Sequence, residues 1–120
     1  MPNELIIIID DEYPVLDVLQ IMIKKFGYRT ESFKSAGDSL GRIQHGKPDM
    51  VILDYSIPGE NGKKNIKTIL NINPDIKILL LSGLDMSQCD EFKKLGVADC
   101  LQKPIKMELL EDYIKLNLAK

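Results

Sequence analysis

Three acidic residues follow directly after a run of apolar residues near the start of the chain. The stretch IIIIDDE places Asp10, Asp11 and Glu12 after four consecutive isoleucines. Two unit charges about 4 Å apart repel each other by about 4 kcal/mol at an effective dielectric constant of about 20. Acids held close together therefore need a positive charge among them, and a hard divalent cation would supply it. Mg²⁺ is the ordinary choice because it needs few carboxylates and keeps water ligands. The stretch indicates either a solvated acidic cluster or a magnesium site.

Three further polar residues follow other apolar runs. Asp54 ends the run MVILD, Ser82 ends ILLLS, and Lys103 comes directly after DCLQ. A lysine ammonium pairs with phosphate oxygens, and a serine hydroxyl can donate a hydrogen bond to one of them. A carboxylate can itself accept a phosphoryl group and become an aspartyl phosphate. If the fold brings these residues together with the acidic cluster, the combination predicts phosphoryl transfer.

The predicted elements would bring these residues to one edge of a sheet. Continuous apolar runs predict strands at 5–9, 50–53 and 76–81, with weaker strands at 28–33 and 98–102. Helical periodicity and end signals predict helices at 14–26, 35–46, 62–72, 87–95 and 105–118. Strand and helix alternate five times, which is typical of a doubly wound α/β fold with a five-stranded parallel sheet and five helices. In such folds ligands bind at the carboxyl ends of the strands, where the polar residues fall.

The composition is that of one globular domain. The chain has 120 residues, of which 44% are hydrophobic and 28% charged, with a net charge of −2. The sequence has no stripe of basic residues of the kind that binds nucleic acid directly. Its apolar runs are too short to cross a membrane. With no secretion signal either, we expect a cytoplasmic protein whose residues 1–120 form a single domain. The two cysteines, Cys89 and Cys100, are expected to be reduced thiols, and His45 is expected in a surface loop.

The motifs together resemble the receiver domain of two-component response regulators. The matching stretches are IDDE after the first strand, DYSIPGENG after the third, SG after the fourth and KP after the fifth. Each stretch alone is common, but all of them in order at strand ends form a specific pattern. The resemblance covers nearly the whole chain and implies a flavodoxin-like (βα)5 fold with strand order 2-1-3-4-5. It also implies a cis peptide between Lys103 and Pro104.

The resemblance implies a role for each polar residue at the sheet edge. A phosphoryl group would pass from the phosphohistidine of a partner to an aspartate, with Mg²⁺ as cofactor. The residues so implied are the phosphoacceptor Asp54, its neighbours Ser82 and Lys103, and the metal ligands Asp10, Asp11, Asp54 and the backbone carbonyl of Ser56. Glu12 is expected to be a residue of the helix start or the rim of the site.

The implied function is signalling rather than metabolic turnover. The donor would be a sensor histidine kinase or a histidine phosphotransfer protein. A downstream protein would bind the surface of the fourth helix, fifth strand and fifth helix, and many receivers dimerise when phosphorylated. The domain would assist its own phosphorylation and dephosphorylation without being an enzyme in the usual sense. We expect no direct contact with nucleic acid or membrane, and we favour a stand-alone receiver over an excised domain.

Two departures from the family pattern affect switching and lifetime. Receivers commonly carry Tyr or Phe three residues before the lysine, where this chain has Cys100. The positions that tune water attack on the acyl phosphate hold Ser56 and Leu84, which offer no acid or amide. We therefore expect slow autodephosphorylation and a switch that does not depend on an aromatic at that strand.

Three other functions remain as alternatives. A phosphohydrolase of the haloacid-dehalogenase type would also use an aspartate after a strand, but it needs a second Asp where Ser56 stands. A flavodoxin-like cofactor binder would need phosphate-binding amides where DDEYP would repel a phosphate. A receiver-like scaffold without phosphorylation would not need the full set of reactive residues.

Overall fold

Strands and helices alternate along the chain as the apolar pattern predicts. The computed structural model of the protein describes residues 4–83 and 86–118. A single 3₁₀ turn, Met86–Gln88, precedes the fourth helix. The elements are β1 Leu5–Ile9, α1 Tyr13–Lys25, β2 Arg29–Phe33, α2 Ala36–Gly46, β3 Met50–Asp54, α3 Gly62–Ile72, β4 Lys77–Ser82, α4 Cys89–Lys94, β5 Asp99–Gln102 and α5 Met107–Leu118. Within the described ranges, no helix is both long and apolar enough to cross a membrane.

All five strands form one parallel sheet in the order β2-β1-β3-β4-β5. The predicted fold class and strand order are therefore confirmed. In the register, Ile9 lies beside Leu53, Asp54 beside Leu81, and Ser82 beside Gln102. This register places the carboxyl ends of β1, β3, β4 and β5 along one edge of the sheet.

The strand side chains alternate between two apolar layers, one on each face of the sheet. Ile7 and Ile9 point to the layer under α2, α3 and α4, whereas Ile6 and Ile8 point to the layer under α1 and α5. All four isoleucines are fully buried. A strand buried on both faces needs a continuous apolar run, which explains the sequence of β1. Both layers stop where the polar residues begin.

The ends of several elements follow predicted stop signals. Gly27 and Gly96 end α1 and α4 with positive φ angles of 103° and 112°, which glycine adopts without strain. His45 is exposed as predicted, but it lies in the last turn of α2 rather than in a loop. Helix α5 begins two residues later than predicted, and its first turn is closed by the Leu110 N–H, which donates to the Lys106 carbonyl at 3.0 Å.

Two glycines should respond in opposite ways to replacement by alanine. Gly41 lies inside α2 with open space around a Cβ atom, so Gly41→Ala should raise the free energy of unfolding by about 1 kcal/mol. At Gly62 a Cβ would lie 2.6 Å from the Tyr55 carbonyl oxygen and 2.5 Å from its ring. Gly62→Ala should therefore lower the free energy of unfolding by about 2 kcal/mol. Urea titration of both variants checks this, and a stabilising Gly62→Ala would contradict the packing around Tyr55.

Candidate functional site

Asp10 directly follows β1 at the carboxyl edge of the sheet. Its side chain has 0% exposure, although it carries a formal charge. Its N–H donates to the Phe33 carbonyl at 3.1 Å, and its Oδ1 accepts from the Glu12 N–H at 3.0 Å. The carboxylate thus helps to turn the chain out of β1 toward α1, and Pro14 then occupies the first turn of that helix. A buried carboxylate needs further partners, and a cation supplies one.

Lys103 connects the two buried carboxylates of the site. Its Nζ lies 3.2 Å from Asp10 Oδ2 and 3.4 Å from Asp54 Oδ1. The lysine side chain is 26% exposed, whereas Asp54 is 3% exposed. The Lys103 N–H donates to the Ser82 carbonyl at 2.8 Å, and the peptide between Lys103 and Pro104 is cis, as predicted. The structure therefore brings Asp10, Asp54, Ser82 and Lys103 together at the carboxyl edge.

Asp54 ends β3 and is held by the turn that follows it. The Ser56 N–H donates to Asp54 Oδ1 at 3.1 Å, and the Tyr55 N–H donates to the Leu81 carbonyl at 2.9 Å. Ser56 is exposed, so the turn opens this part of the site to solvent. Ser82 ends β4 and is buried on the same edge. Leu84, the other position expected to tune dephosphorylation, lies outside the described residues.

Burial and neighbouring charges shift the pKa values of both Asp54 and Lys103. Burial raises the pKa of the Asp54 carboxyl, and the Ser56 N–H and the Lys103 charge oppose this rise without cancelling it. Burial alone would lower the pKa of Lys103, but the charges of Asp54 and Asp10 outweigh it and raise that pKa. The ammonium therefore stays charged, while ionised Asp54 is held at a cost.

Replacement of Asp54 by asparagine should make the metal-free protein more stable at pH 7. The folded-state pKa of Asp54 is raised above its unfolded value, so the stability linked to its proton is lost as pH rises through the folded pKa. The neutral amide of the variant carries no such dependence. The variant should have the higher urea midpoint at pH 7 in EDTA, and its advantage should shrink as pH falls toward the ordinary aspartate pKa of about 4. A lower midpoint for Asp54→Asn at pH 7 would contradict this balance of charges.

The acidic cluster after β1 offers oxygen ligands to a metal ion. One carboxylate oxygen from each of Asp10, Asp11 and Glu12 lies within 4.8 Å of the others. Asp10 is buried, Asp11 is partly exposed and Glu12 is exposed. Oxygen-only donors at this spacing fit a hard cation better than a soft one. Glu12 was expected at the helix start or rim, with an outer-shell contact to the metal as the alternative. It is the N-cap residue of α1, and its place in this cluster makes it a further candidate ligand.

The walls of the site combine charged and apolar contacts. Lys34, in the turn after β2, lies over the ring of Tyr13 with Nζ 3.7 Å from the ring centre. Beside Lys103, a surface cavity of about 310 Å³ separates α1 from the start of α5. Its lining is largely apolar and includes Pro14, Val15, Val18, Pro104, Ile105 and Met107. The apolar part of the rim is thus adjacent to the charged part.

Contacts that the sequence did not reveal tie the turn after β3 to the helices around it. The ring of Tyr55 lies 4.8 Å from the ring of Phe92 in α4. Glu60 Oε1 accepts from the Ala36 N–H at 3.2 Å and from the Asn65 side chain at 2.9 Å. An aromatic directly after the predicted acceptor was the available signal for the first contact. No comparable signal pointed to Glu60.

The prediction of two reduced thiols is wrong. The structure joins Cys89, the first residue of α4, to Cys100 in β5 by a disulfide, with their Cα atoms 6.0 Å apart. The two residues are separated by 11 positions in the chain, and only the packing of α4 on β5 brings them together. Cys100 is buried, as expected of a core residue.

Comparisons with known proteins agree with this architecture. The family model described as response regulator receiver domain matches residues 6–115. The sporulation initiation phosphotransferase F of Bacillus subtilis is 32% identical over 98% of this chain and 96% of its own length.

Two solved structures share the fold at lower sequence identity. A response regulator receiver domain protein from Methanospirillum hungatei superposes with a TM-score of 0.89 at 22% identity, over 98% of this chain and 94% of that one. A receiver domain protein from Clostridium thermocellum gives 0.88 at 23% identity, over 96% and 94%. The order of the strands, the matched motifs and the family model together identify the chain as a member of the response regulator receiver domain family.

Proposed function

We propose that this receiver domain accepts a phosphoryl group on Asp54. The observation that carries the proposal is the position of Lys103, whose ammonium lies within 3.4 Å of both Asp10 and Asp54 at the carboxyl edge of the sheet. Phosphoryl transfer to an aspartate requires a nucleophilic carboxylate and positive charge beside the transferring group. Asp54 would be the nucleophile, the Lys103 ammonium would supply part of the charge, and Asp10 would help to hold a metal ion that supplies the rest.

The contacts of Asp54 suggest how the transfer proceeds. Oδ1 already accepts the Ser56 N–H and faces Lys103, so we assign the nucleophile to Oδ2. Oδ2 would form a bond to phosphorus while the bond from phosphorus to the histidine nitrogen of the donor breaks. That nitrogen keeps the electron pair and takes a proton from solvent. Lys103 and the Ser82 hydroxyl would contact the phosphoryl oxygens.

The donor set fits Mg²⁺ as the cofactor. Asp10 and Asp11 would hold the ion together with Asp54 and the backbone carbonyl of Ser56, and Glu12 stands at the exposed side of the cluster. Bound there, Mg²⁺ would neutralise the carboxylates and the negative charge of the transferring group.

Mg²⁺ should stabilise the folded protein through Asp11 more than through Glu12. At a concentration about ten times the Kd, an ion that binds only the folded state raises the free energy of unfolding by about 1.4 kcal/mol. Asp11→Asn should remove most of this gain, whereas Glu12→Gln should keep most of it because Glu12 is exposed. Urea unfolding with and without Mg²⁺ measures both variants. If Mg²⁺ raises the free energy of unfolding equally in the wild type and in Asp11→Asn, the assignment of Asp11 as a metal ligand is contradicted.

The function is tested by exposing the whole protein to a small phosphodonor. Phosphoramidate with Mg²⁺ should add a single phosphoryl group to the intact mass, and EDTA should prevent the addition. Rapid release of phosphate from varied phosphomonoesters would instead favour the hydrolase alternative. The exposed Ser56, which cannot act as a general acid in place of aspartate, argues against that alternative.

We infer that the partners are proteins of a phosphorelay. The donor would be a sensor histidine kinase or a histidine phosphotransfer protein, and the relative named as a phosphotransferase supports a role in which the phosphoryl group is passed on. The downstream partner would bind α4, β5 and α5, where Leu109 is 42% exposed. The same surface would serve a phosphorylation-dependent dimer. We place the protein in the cytoplasm, as a signalling domain rather than an enzyme with a released product.

A further inference from the structure

A disulfide joins two elements of the surface proposed for the downstream partner. Cys89 begins α4 and Cys100 lies in the middle of β5, and these are the two cysteines of the chain. Both side chains are almost fully buried. The bond therefore lies beneath the surface between α4 and β5, where it fixes the distance between them.

Other contacts between α4 and β5 are weaker than this bond. Lys93 Nζ lies 3.8 Å from Asp99 Oδ1, and the lysine side chain is 49% exposed. An ion pair with that much exposure contributes little to stability. Phe92 adds apolar contact within the layer that also contains both cysteines. In the described part of the chain, α4 is a helix of six residues, and besides these contacts the ring of Phe92 packs against that of Tyr55. The covalent link thus adds a strong constraint to a short helix.

We propose that Cys89 and Cys100 are a reversible redox site, at which the disulfide clamps α4 to β5 and reduction to two thiols frees α4 to shift. The redox state would then control the surface that the downstream partner binds. This consequence rests on the proposed function, whereas the clamp itself does not.

Thiol–disulfide exchange with a small molecule would interconvert the two states. In oxidation, the thiolate of one cysteine attacks a disulfide such as oxidised glutathione and releases one thiol. The second cysteine then displaces the other thiol from the mixed disulfide. Two protein thiols lose two protons and two electrons, and the small disulfide gains them. Cys89 is 9% exposed and Cys100 only 2%, so the reagent would react at Cys89 first, when α4 opens locally.

The first test counts thiols in the whole protein equilibrated with mixtures of reduced and oxidised glutathione. After alkylation, intact mass should show two blocked thiols in the reduced protein and none in the oxidised protein, with full return in both directions. Cys89→Ala and Cys100→Ala should each leave a single thiol that the mixture cannot convert to the intramolecular bond. Two thiols that persist under every oxidising mixture would overturn the proposal.

The second test measures the clamp by amide hydrogen exchange in α4. The amides of α4 should exchange about tenfold faster in the reduced protein than in the oxidised protein, because the disulfide no longer restrains the local unfolding of this helix. Cys89→Ala should exchange at the reduced rate whatever the glutathione ratio, and Cys100→Ala provides the same readout if the first variant folds poorly. Equal exchange in the oxidised and reduced wild type would overturn the proposal.

Phosphoryl uptake measured in both redox states tests the clamp and the phosphoacceptor role separately. Phosphoramidate and Mg²⁺ should modify the reduced protein about threefold faster than the oxidised protein, because a free α4 makes the responsive conformation more accessible. Equal rates would overturn the redox control of the response. If neither form takes up the phosphoryl group, the proposed function is contradicted. The clamp is still supported if amide exchange in α4 depends on the redox state.

Discussion

Replacement of Asp54 by asparagine should abolish phosphoryl uptake from phosphoramidate and Mg²⁺. The amide cannot act as the nucleophile, and the neighbouring carboxylate of Asp10 is fully buried and engaged with Lys103 and the Glu12 N–H. The substitution changes one oxygen to nitrogen and leaves the volume of the side chain nearly unchanged. Intact-mass spectrometry should therefore show one added phosphoryl group in the wild type and none in Asp54→Asn.

Asp75→Asn is the matched control for this experiment. Asp75 is exposed in the turn before β4, so its replacement makes the same chemical change away from the carboxyl edge. This control should take up the phosphoryl group at the wild-type rate. Full modification of Asp54→Asn would show that another residue is the acceptor, and peptide mapping after borohydride reduction of the acyl phosphate would then locate it.

Replacement of Lys103 by methionine should both destabilise the protein and slow phosphoryl uptake. The ammonium lies 3.2 Å from the buried Asp10 carboxylate and 3.4 Å from Asp54, and methionine leaves both without this cation. Removing one partner of a largely buried ion pair costs about 3 kcal/mol. The loss of a positive charge beside the transferring group should slow uptake about 100-fold. Urea unfolding in EDTA at pH 7 and timed intact-mass measurements test the two effects.

Lys106→Met provides the control for charge and side-chain length. Lys106 is exposed three residues further along the chain, and its replacement should change stability by less than about 0.5 kcal/mol. The pKa of Lys103 is raised above the ordinary lysine value of 10.5, so its stabilising charge is present below that pH and is lost as pH rises through the folded-state pKa. A Lys103→Met variant as stable as Lys106→Met at pH 7 would contradict the role of the ammonium in the fold.

The convergence of the polar residues at one edge of the sheet could be predicted from the sequence, because it depends on only a few physical rules. The isoleucines of β1 are buried on both faces, so their continuous apolar run indicated a strand in a parallel sheet. In that class of sheet the carboxyl ends lie together, which is why Asp10, Asp54 and Lys103 meet despite their separation along the chain. Element ends depended on single residues such as Gly27, which the sequence also displays.

The features that the sequence did not reveal depend on distances between packed elements. Cys89 and Cys100 pair because α4 lies on β5 with their Cα atoms 6.0 Å apart, and no local pattern encodes that distance. The start of α5 at Met107 likewise depends on how the chain leaves β5. The contact of Tyr55 with Phe92 requires the β3 turn to face α4, which follows from the strand order rather than from either residue.

The ammonium shared by Asp10 and Asp54 has a consequence for the order in which reactants arrive. The Lys103 cation stands among the carboxylates of Asp10, Asp11, Glu12 and Asp54 at this edge, so negative charge is in excess there. A phosphodonor is itself an anion and is repelled by such a surplus, whereas a dication is drawn to it. Kinetics should therefore follow a compulsory sequence, with the metal first and the donor second. A high concentration of phosphodonor should not replace the metal ion. Added salt should weaken the binding of the divalent cation more than it slows the later reaction with the phosphodonor.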